Sequence, residues 1–184
     1  MSETQAHHFA KKGEVDLAYN ERGVGRFRVN IFRQRGTISL VLRRIRAHIQ
    51  TFEQLNLPHS IARFANFARG LVLITGTTGS GKSTTLASII NHINNSRRCH
   101  IVTLEDPIEF VHNDRMAVIN QREITIDTAD FKSALKSVMR QDPDVILIGE
   151  MRDIDTFQAA ISASETGHLV FSTLHTTSAS GTVN

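Results

Sequence analysis

The chain has 184 residues, 40% hydrophobic and 21% charged, with a formal net charge of +3. These proportions suit one ordinary globular domain, or one domain and part of another, and exclude a disordered chain. A single cysteine, Cys99, excludes an internal disulfide, the polar start (Glu3, His7, His8, Lys11, Lys12, Glu14, Asp16) excludes a signal peptide, and no apolar run suits a membrane helix, so a cytoplasmic protein is expected.

Residues 1–13 show little pattern and are expected to fray. Val15–Tyr19 alternates as a strand does, and Asn20-Glu21-Arg22-Gly23 reads as a turn. Arg26–Ile31 alternates again, with Phe27, Val29 and Ile31 on one face, and Thr37–Ile45 is a third candidate strand. This opening section, residues 1–50, predicts an antiparallel sheet with one dry face. Eight arginines (22, 26, 28, 33, 35, 43, 44 and 46) fall here with only Glu21 at their edge. Such a stripe suits nucleic acid, a membrane surface or phosphates on a neighbouring subunit, and equally an ordinary solvated face.

Residues 51–69 form a linker and a helix, the latter from Ile61, Phe64, Ala65 and Ala68 at helical spacing. From residue 70 the rhythm changes. Leu71–Thr75, Ile101–Leu104, Val145–Ile148 and Leu169–Ser172 are unbroken apolar or β-branched runs, the mark of strands buried on both faces. Between them, helical spacing links Leu86, Ile89, Ile90 and Ile93, then Phe131, Ala134, Leu135 and Val138, then Ile154, Phe157 and Ile161, the last helix stopped by Gly167. Strands alternating with helices predict a mainly parallel α/β sheet over 70–184.

Gly76-Thr77-Thr78-Gly79-Ser80-Gly81-Lys82-Ser83 lies between the strand Leu71–Thr75 and the following helix. That is the context of a phosphate-binding P-loop: glycines let backbone N–H groups wrap a phosphate, and the helix N-terminus adds its positive dipole end. Lys82 is expected to reach the β- and γ-phosphates of ATP, and the Ser83 hydroxyl to ligate Mg²⁺. An incidental glycine-rich turn would not bring strand, motif and helix into register.

Hydrolysis also needs a carboxylate to position or deprotonate water. Val145–Ile148 runs into Gly149-Glu150-Met151-Arg152-Asp153, which puts acids at the carboxyl end of a buried strand, where α/β sheets bind ligands. Many P-loop enzymes have Asp where this chain has Gly149, so Glu150 is expected to supply the Mg²⁺ or water contact, and Asp153 suits a helix cap. Glu105, Asp106 and Glu109 follow the strand Ile101–Leu104 and are expected to converge above the sheet, although a solvated acidic turn would look the same. His168 and His175, seven apart, bracket the last strand on opposite faces, which disfavours a shared metal. A lone histidine is more often structural.

In combination these residues resemble the secretion ATPases. Gly76–Thr84 matches that family's Walker A loop, Glu105–Glu109 its Asp box, Gly149–Asp153 its Walker B and Thr166–Thr176 its His box, in the same order. Met151 and Val118-Ile119-Asn120-Gln121-Arg122-Glu123 look most like the type IV pilus retraction ATPases PilT and PilU, and Arg26–Arg35 is similar to the PilU side. Thr77 departs from the family's usual proline. The resemblance implies a RecA-like P-loop NTPase preceded by part of a small PAS-like antiparallel domain. It implies a hexamer, of this chain alone or together with a paralogous ATPase, that is cytoplasmic, peripheral at the inner membrane, docked on the pilus platform protein and driving retraction in twitching motility. Nucleotide is implied at Gly76, Thr77, Thr78, Gly79, Ser80, Gly81, Lys82, Ser83 and Thr84. Glu109 is implied as catalytic base, with Glu150 and Ser83 organising Mg²⁺, though the two glutamates can exchange roles. His168 and His175 are implied as sensors of nucleotide state, and Arg26, Arg28 and Arg33 as arginines reaching a neighbouring subunit's phosphates.

Relative to that family the chain is expected to be a fragment, lacking further strands and a C-terminal helical part, and weakly active or insoluble alone. A pilus-extension or type II secretion ATPase is the alternative within the family. A nucleotide-gated accessory subunit that does not hydrolyse ATP is the alternative from another class. Nucleic acid is not an expected partner, because no aromatic stacking platform accompanies the arginines.

Overall fold

The structure, a computed structural model, describes residues 1–45 and 48–176. It divides into two compact units, residues 1–47 and 48–184. Arg46, the last arginine of the basic stripe, lies outside the described residues.

The first unit begins with a helix where fraying is expected, α1 (Glu3–Lys12). Ser2 and Gln5 form a reciprocal capping box, each side chain accepting the other's backbone N–H, and Gly13 closes the helix in the left-handed conformation. Three strands follow, β1 (Glu14–Glu21), β2 (Gly25–Gln34) and β3 (Thr37–Arg44), joined in the antiparallel order β1-β2-β3. Register pairs Val15 with Ile31 and Leu17 with Val29, so the apolar residues of β1 and β2 share a face, as the alternation requires. α1 packs against β1, and Val15, Val29 and Phe9 are buried. The expected dry face is complete only there. On β3 the same face continues through Leu42, Leu40 and Ile38, which are 47%, 54% and 65% exposed.

The second unit opens with α2 (Ile61–Ala65), shorter than its apolar spacing predicts. The reason is local: the Arg97 guanidinium takes the carbonyls of Ala65 (2.7 Å) and Phe67 (3.3 Å), so the chain turns away after Asn66. Then come β4 (Gly70–Thr75), α3 (Lys82–Ser96), β5 (His100–Glu105), β6 (Val118–Glu123), α4 (Phe131–Val138), β7 (Val145–Ile148), α5 (Ile154–Glu165) and β8 (Leu169–Leu174). The five strands form one parallel sheet in the order β4-β8-β7-β5-β6.

Period-two alternation sorts the core onto the two faces of this sheet. α3 covers one with Leu86, Ile89, Ile90 and Ile93, against Ile101, Leu147 and Phe171. α4 and α5 cover the other with Ala134, Leu135, Val138, Ala160 and Ala163, against Val102, Ile146 and Val170. Burial on both faces is why β5, β7 and β8 read as unbroken apolar runs. β6, an edge strand, buries Ile119 and Glu123 but leaves Val118 and Asn120 exposed, and no apolar run announces it. On α5 the expected stripe is displaced. Ile154 is 74% exposed, while Thr156, Ala160 and Ala163 face inward.

Candidate nucleotide site

A parallel sheet brings the carboxyl ends of its strands to one edge. Register aligns Thr75 with Leu174, Ile148 with Ser172 and Leu104 with Ile148. Four segments therefore leave the sheet side by side, in the order of their strands: the glycine loop after β4, His175 after β8, Glu150 after β7 and the Glu105–Glu109 segment after β5. These segments are far apart in sequence and neighbours in the fold.

The loop Gly76–Gly81 is shaped for close backbone approach. Gly76 has φ +151°, a backbone conformation that other residues rarely adopt, and a Cβ there would meet Ser80 Oγ at 2.6 Å and displace that hydroxyl. Gly81 ends the loop in the left-handed region (φ +93°) as the N-cap of α3. The starts of α1, α4 and α5 are each capped by a side chain, Ser2, Asp130 and Asp153. α3 has no side-chain cap, so its first N–H groups and dipole end remain directed at the loop. Lys82 is buried, and its Nζ donates to the carbonyls of Gly76 (2.9 Å) and Thr77 (3.0 Å) across the loop. Thr77, Thr78, Ser80 and Ser83 are exposed around it. Backbone donors, a helix N-terminus and one buried cation suit a polyphosphate. Among the described residues no cluster of three or more His, Cys, Asp or Glu side chains could hold a metal ion unaided. A Mg²⁺ ion here would therefore take its remaining ligands from phosphate and water, as hydroxyl-plus-nucleotide sites do.

Glu150 stands between an imidazole and a guanidinium. Its Oε1 lies 3.0 Å from His175 Nε2 and its Oε2 lies 2.8 Å from Arg152 Nη2, with Arg152 Nε donating at 2.9 Å. The turn beneath is tied down by Thr173, whose hydroxyl donates to the Gly149 carbonyl (2.7 Å) and whose own carbonyl accepts from Met151 N–H (3.3 Å). Gly149 N–H donates to the Leu104 carbonyl (2.7 Å), and a Cβ on Gly149 would lie 3.4 Å from that oxygen and from Glu105 Cα. Asp153 caps α5 as expected, accepting from Thr156 N–H at 2.8 Å.

The acids after β5 do not all converge above the sheet. Glu105 turns inward, its Oε1 accepting from Thr103 Oγ1 (2.6 Å) and Gln121 Nε2 (3.2 Å). Burial raises its pKa; the hydroxyl, the Gln121 amide and Glu109's backbone N–H oppose that rise, and the Glu109 charge adds to it. Asp106 and Glu109 are exposed, flanking the cis Asp106–Pro107 peptide and buried Ile108. Asp106 and Glu109 are thus the two outward-facing carboxylates of the segment.

The two histidines part company. His175 joins Glu150, but His168 lies at the opposite edge of the sheet, before β8, where its Nδ1 is 2.9 Å from the Ala163 carbonyl and 3.3 Å from Thr166 Oγ1. There it closes the end of α5, and the length of β8 separates it from the glycine loop. Arg26 and Arg28 alternate onto one face of β2, Arg28 Nε lying 3.9 Å from Asp16 Oδ1. Arg33 falls on the other face, over the Phe9 ring at 5.6 Å. Arg152, Thr173 and Gln121 were not singled out by sequence reasoning. Thr173 and Gln121 take partners distant in the chain, whereas Arg152 pairs with Glu150 two residues before it.

The family model for the type II/IV secretion system protein matches residues 4–184. The chain belongs to that family. It is 49% identical over all 184 residues to the type IV pilus retraction ATPase PilT of Pseudomonas aeruginosa, covering 54% of that protein. It is 46% identical over 179 residues to PilU of the same organism, covering 97% of this chain and 47% of that protein. Overall identity therefore does not reproduce the PilU-side likeness of Arg26–Arg35. Among solved structures, that of the pilus retraction motor PilT with bound ADP superposes with a TM-score of 0.96 at 49% identity, covering all of this chain and 53% of the other. The chain spans about half the length of these relatives. No helix among its described residues is long and apolar enough to cross a membrane.

Proposed function

We propose that this chain belongs to an ATP-hydrolysing motor subunit that drives type IV pilus retraction. The observation that carries the reading is the row of segments on one sheet edge: the glycine loop, the His175–Glu150 pair and exposed Glu109. The likeness to PilT along the whole chain supports retraction in particular.

Gly76–Thr84 would hold the phosphates, with Lys82 released from its two carbonyl partners to the β- and γ-phosphates, and Ser83 would ligate Mg²⁺. Bound Mg²⁺ would supply charge neutralisation on the phosphoryl oxygens. Both oxygens of Glu150 are engaged, one by the His175 imidazole and one by the Arg152 guanidinium, which suits an anchor for Mg²⁺, directly or through water, better than a free base. Glu109 is exposed and has no ion pair among the described residues, so we assign it the general base that accepts a proton from the attacking water. His175 is placed to report nucleotide state through Glu150, whereas His168 is not placed to do so within its own subunit. Arg26 and Arg28, on one face, are the better candidates for reaching a neighbouring subunit, and Arg33 the weaker. A cytoplasmic hexamer docked on the inner-membrane pilus platform, alone or with a paralogous ATPase, fits this reading, and nucleic acid does not enter it.

The test is steady-state phosphate release by the full-length protein. Lys82→Ala should abolish nucleotide binding and turnover. Glu109→Ala should keep ATP binding while lowering turnover at least about 100-fold, the usual range for a general base. Wild-type release no faster than that of Lys82→Ala would overturn the motor reading.

A further inference from the structure

Glu109 lies on a segment that has no regular secondary structure, yet general-base chemistry needs its carboxylate held to within a fraction of an ångström. What holds that segment comes from β6. The Gln121 side chain uses all three parts of its amide that can serve here. Its Oε1 accepts from His112 N–H (2.8 Å), and its Nε2 donates to the Phe110 carbonyl (2.9 Å) and to Glu105 Oε1 (3.2 Å). Two residues along the same face of β6, Glu123 Oε2 accepts from Ile108 N–H (3.4 Å). These contacts straddle Glu109 on both sides, at 105 and 108 before it and at 110 and 112 after it. The backbone N–H of Glu109 is also among the groups that favour the charged form of the Glu105 carboxyl, the group Gln121 steadies.

We infer that Gln121 is a positioning residue for ATP hydrolysis, fixing the Glu109 carboxylate through Glu105 and the backbone of residues 110–112. The inference rests on the proposed role of Glu109. Gln121 lies after the β5 segment and touches no residue of the glycine loop, so it should act on the chemical step and leave nucleotide affinity alone. An amide fits because it offers two donors and an acceptor in one plane, without a charge that would oppose Glu105.

The test is a double-mutant cycle in the full-length protein, with kcat and KM for ATP measured for Gln121→Leu, Glu109→Ala and both together. Gln121→Leu should lower kcat at least tenfold, leave KM for ATP within about twofold, and cause no further loss in the Glu109→Ala background. Should Gln121→Leu fail to fold, Gln121→Met carries the same cycle, because it keeps an unbranched side chain of similar length, adds no charge beside Glu105 and loses the amide's donors and acceptor. An unchanged kcat, a KM that rises in step with the loss, or an equal loss with and without Glu109 would each overturn the inference. Full turnover in Glu109→Ala would instead overturn the role of Glu109 itself, whereas an inactive Glu109→Ala beside an unaffected Gln121→Leu removes the positioning role alone.

Discussion

The two sheets of this molecule dispose of their side chains in opposite ways. In the five-stranded sheet nearly every side chain of β5, β7 and β8 is consumed by the core, so chemistry is confined to the segments leaving its carboxyl edge. In the three-stranded sheet, β2 and β3 keep much of their surface exposed, and the arginines stand on the strands themselves. A parallel sheet covered by helices on both faces has no other place for a site. An antiparallel sheet covered on one side can present a whole face.

The largest test of this difference is a truncation in the covered sheet. Phe171, on β8, is fully buried between Val72 and Leu147, its strand neighbours, and the α3 face of the core. Phe171→Ala in the full-length protein should cost about 3–5 kcal/mol of unfolding free energy, read from denaturant titration. A cost below about 1 kcal/mol would mean that the sheet is not packed as described.

A smaller effect is expected from pH. His112, on the segment clamped by Gln121, is partly buried, and burial lowers its pKa from 6.5 to about 4. Its Nδ1 has no hydrogen-bond partner among the described residues. Because the folded value lies below the ordinary one, the contribution of His112 is fully present above about pH 6.5 and is lost as pH falls towards 4. Allowing for the exposed part of the ring, the loss should be roughly 2 kcal/mol. Glu105, with its raised pKa, works in the opposite direction, so the informative quantity is the difference between wild type and His112→Asn across that range. Parallel stability curves for the two proteins would show that His112 is not the group responsible.

Much of the covered sheet was legible in the sequence for the same reason that it is covered. Strands such as Val145–Ile148 must be apolar on both faces, and a glycine loop between such a strand and a helix has few other uses. β6 escaped notice because an edge strand can carry Asn120, Gln121 and Arg122, and polar residues give no period to read. α1 leaves a signal, Ser2 and Gln5 at capping-box spacing before Gly13, but it is weaker than an apolar stripe. The site was legible as separate motifs, but which partners they take was not. Nothing local says that Glu150 meets His175 or that Glu105 reaches Gln121, since strand order decides those neighbours.

The smallest expected effect lies in the open sheet, and it sharpens the contrast with Phe171. Leu40 is apolar and sits opposite Ile31 on the face that α1 covers farther along, yet it is 54% exposed. Exposed positions on an edge strand contribute through strand propensity more than through burial, and threonine keeps that propensity. Leu40→Thr should therefore shift unfolding by no more than about 0.5 kcal/mol in the full-length protein. The same substitution removes apolar surface from the row Ile38, Leu40 and Leu42, so it should raise solubility rather than lower it. A cost above about 1.5 kcal/mol would mean that another part of the full-length protein buries this row. The two sheets would then differ in what covers them and not in whether they are covered.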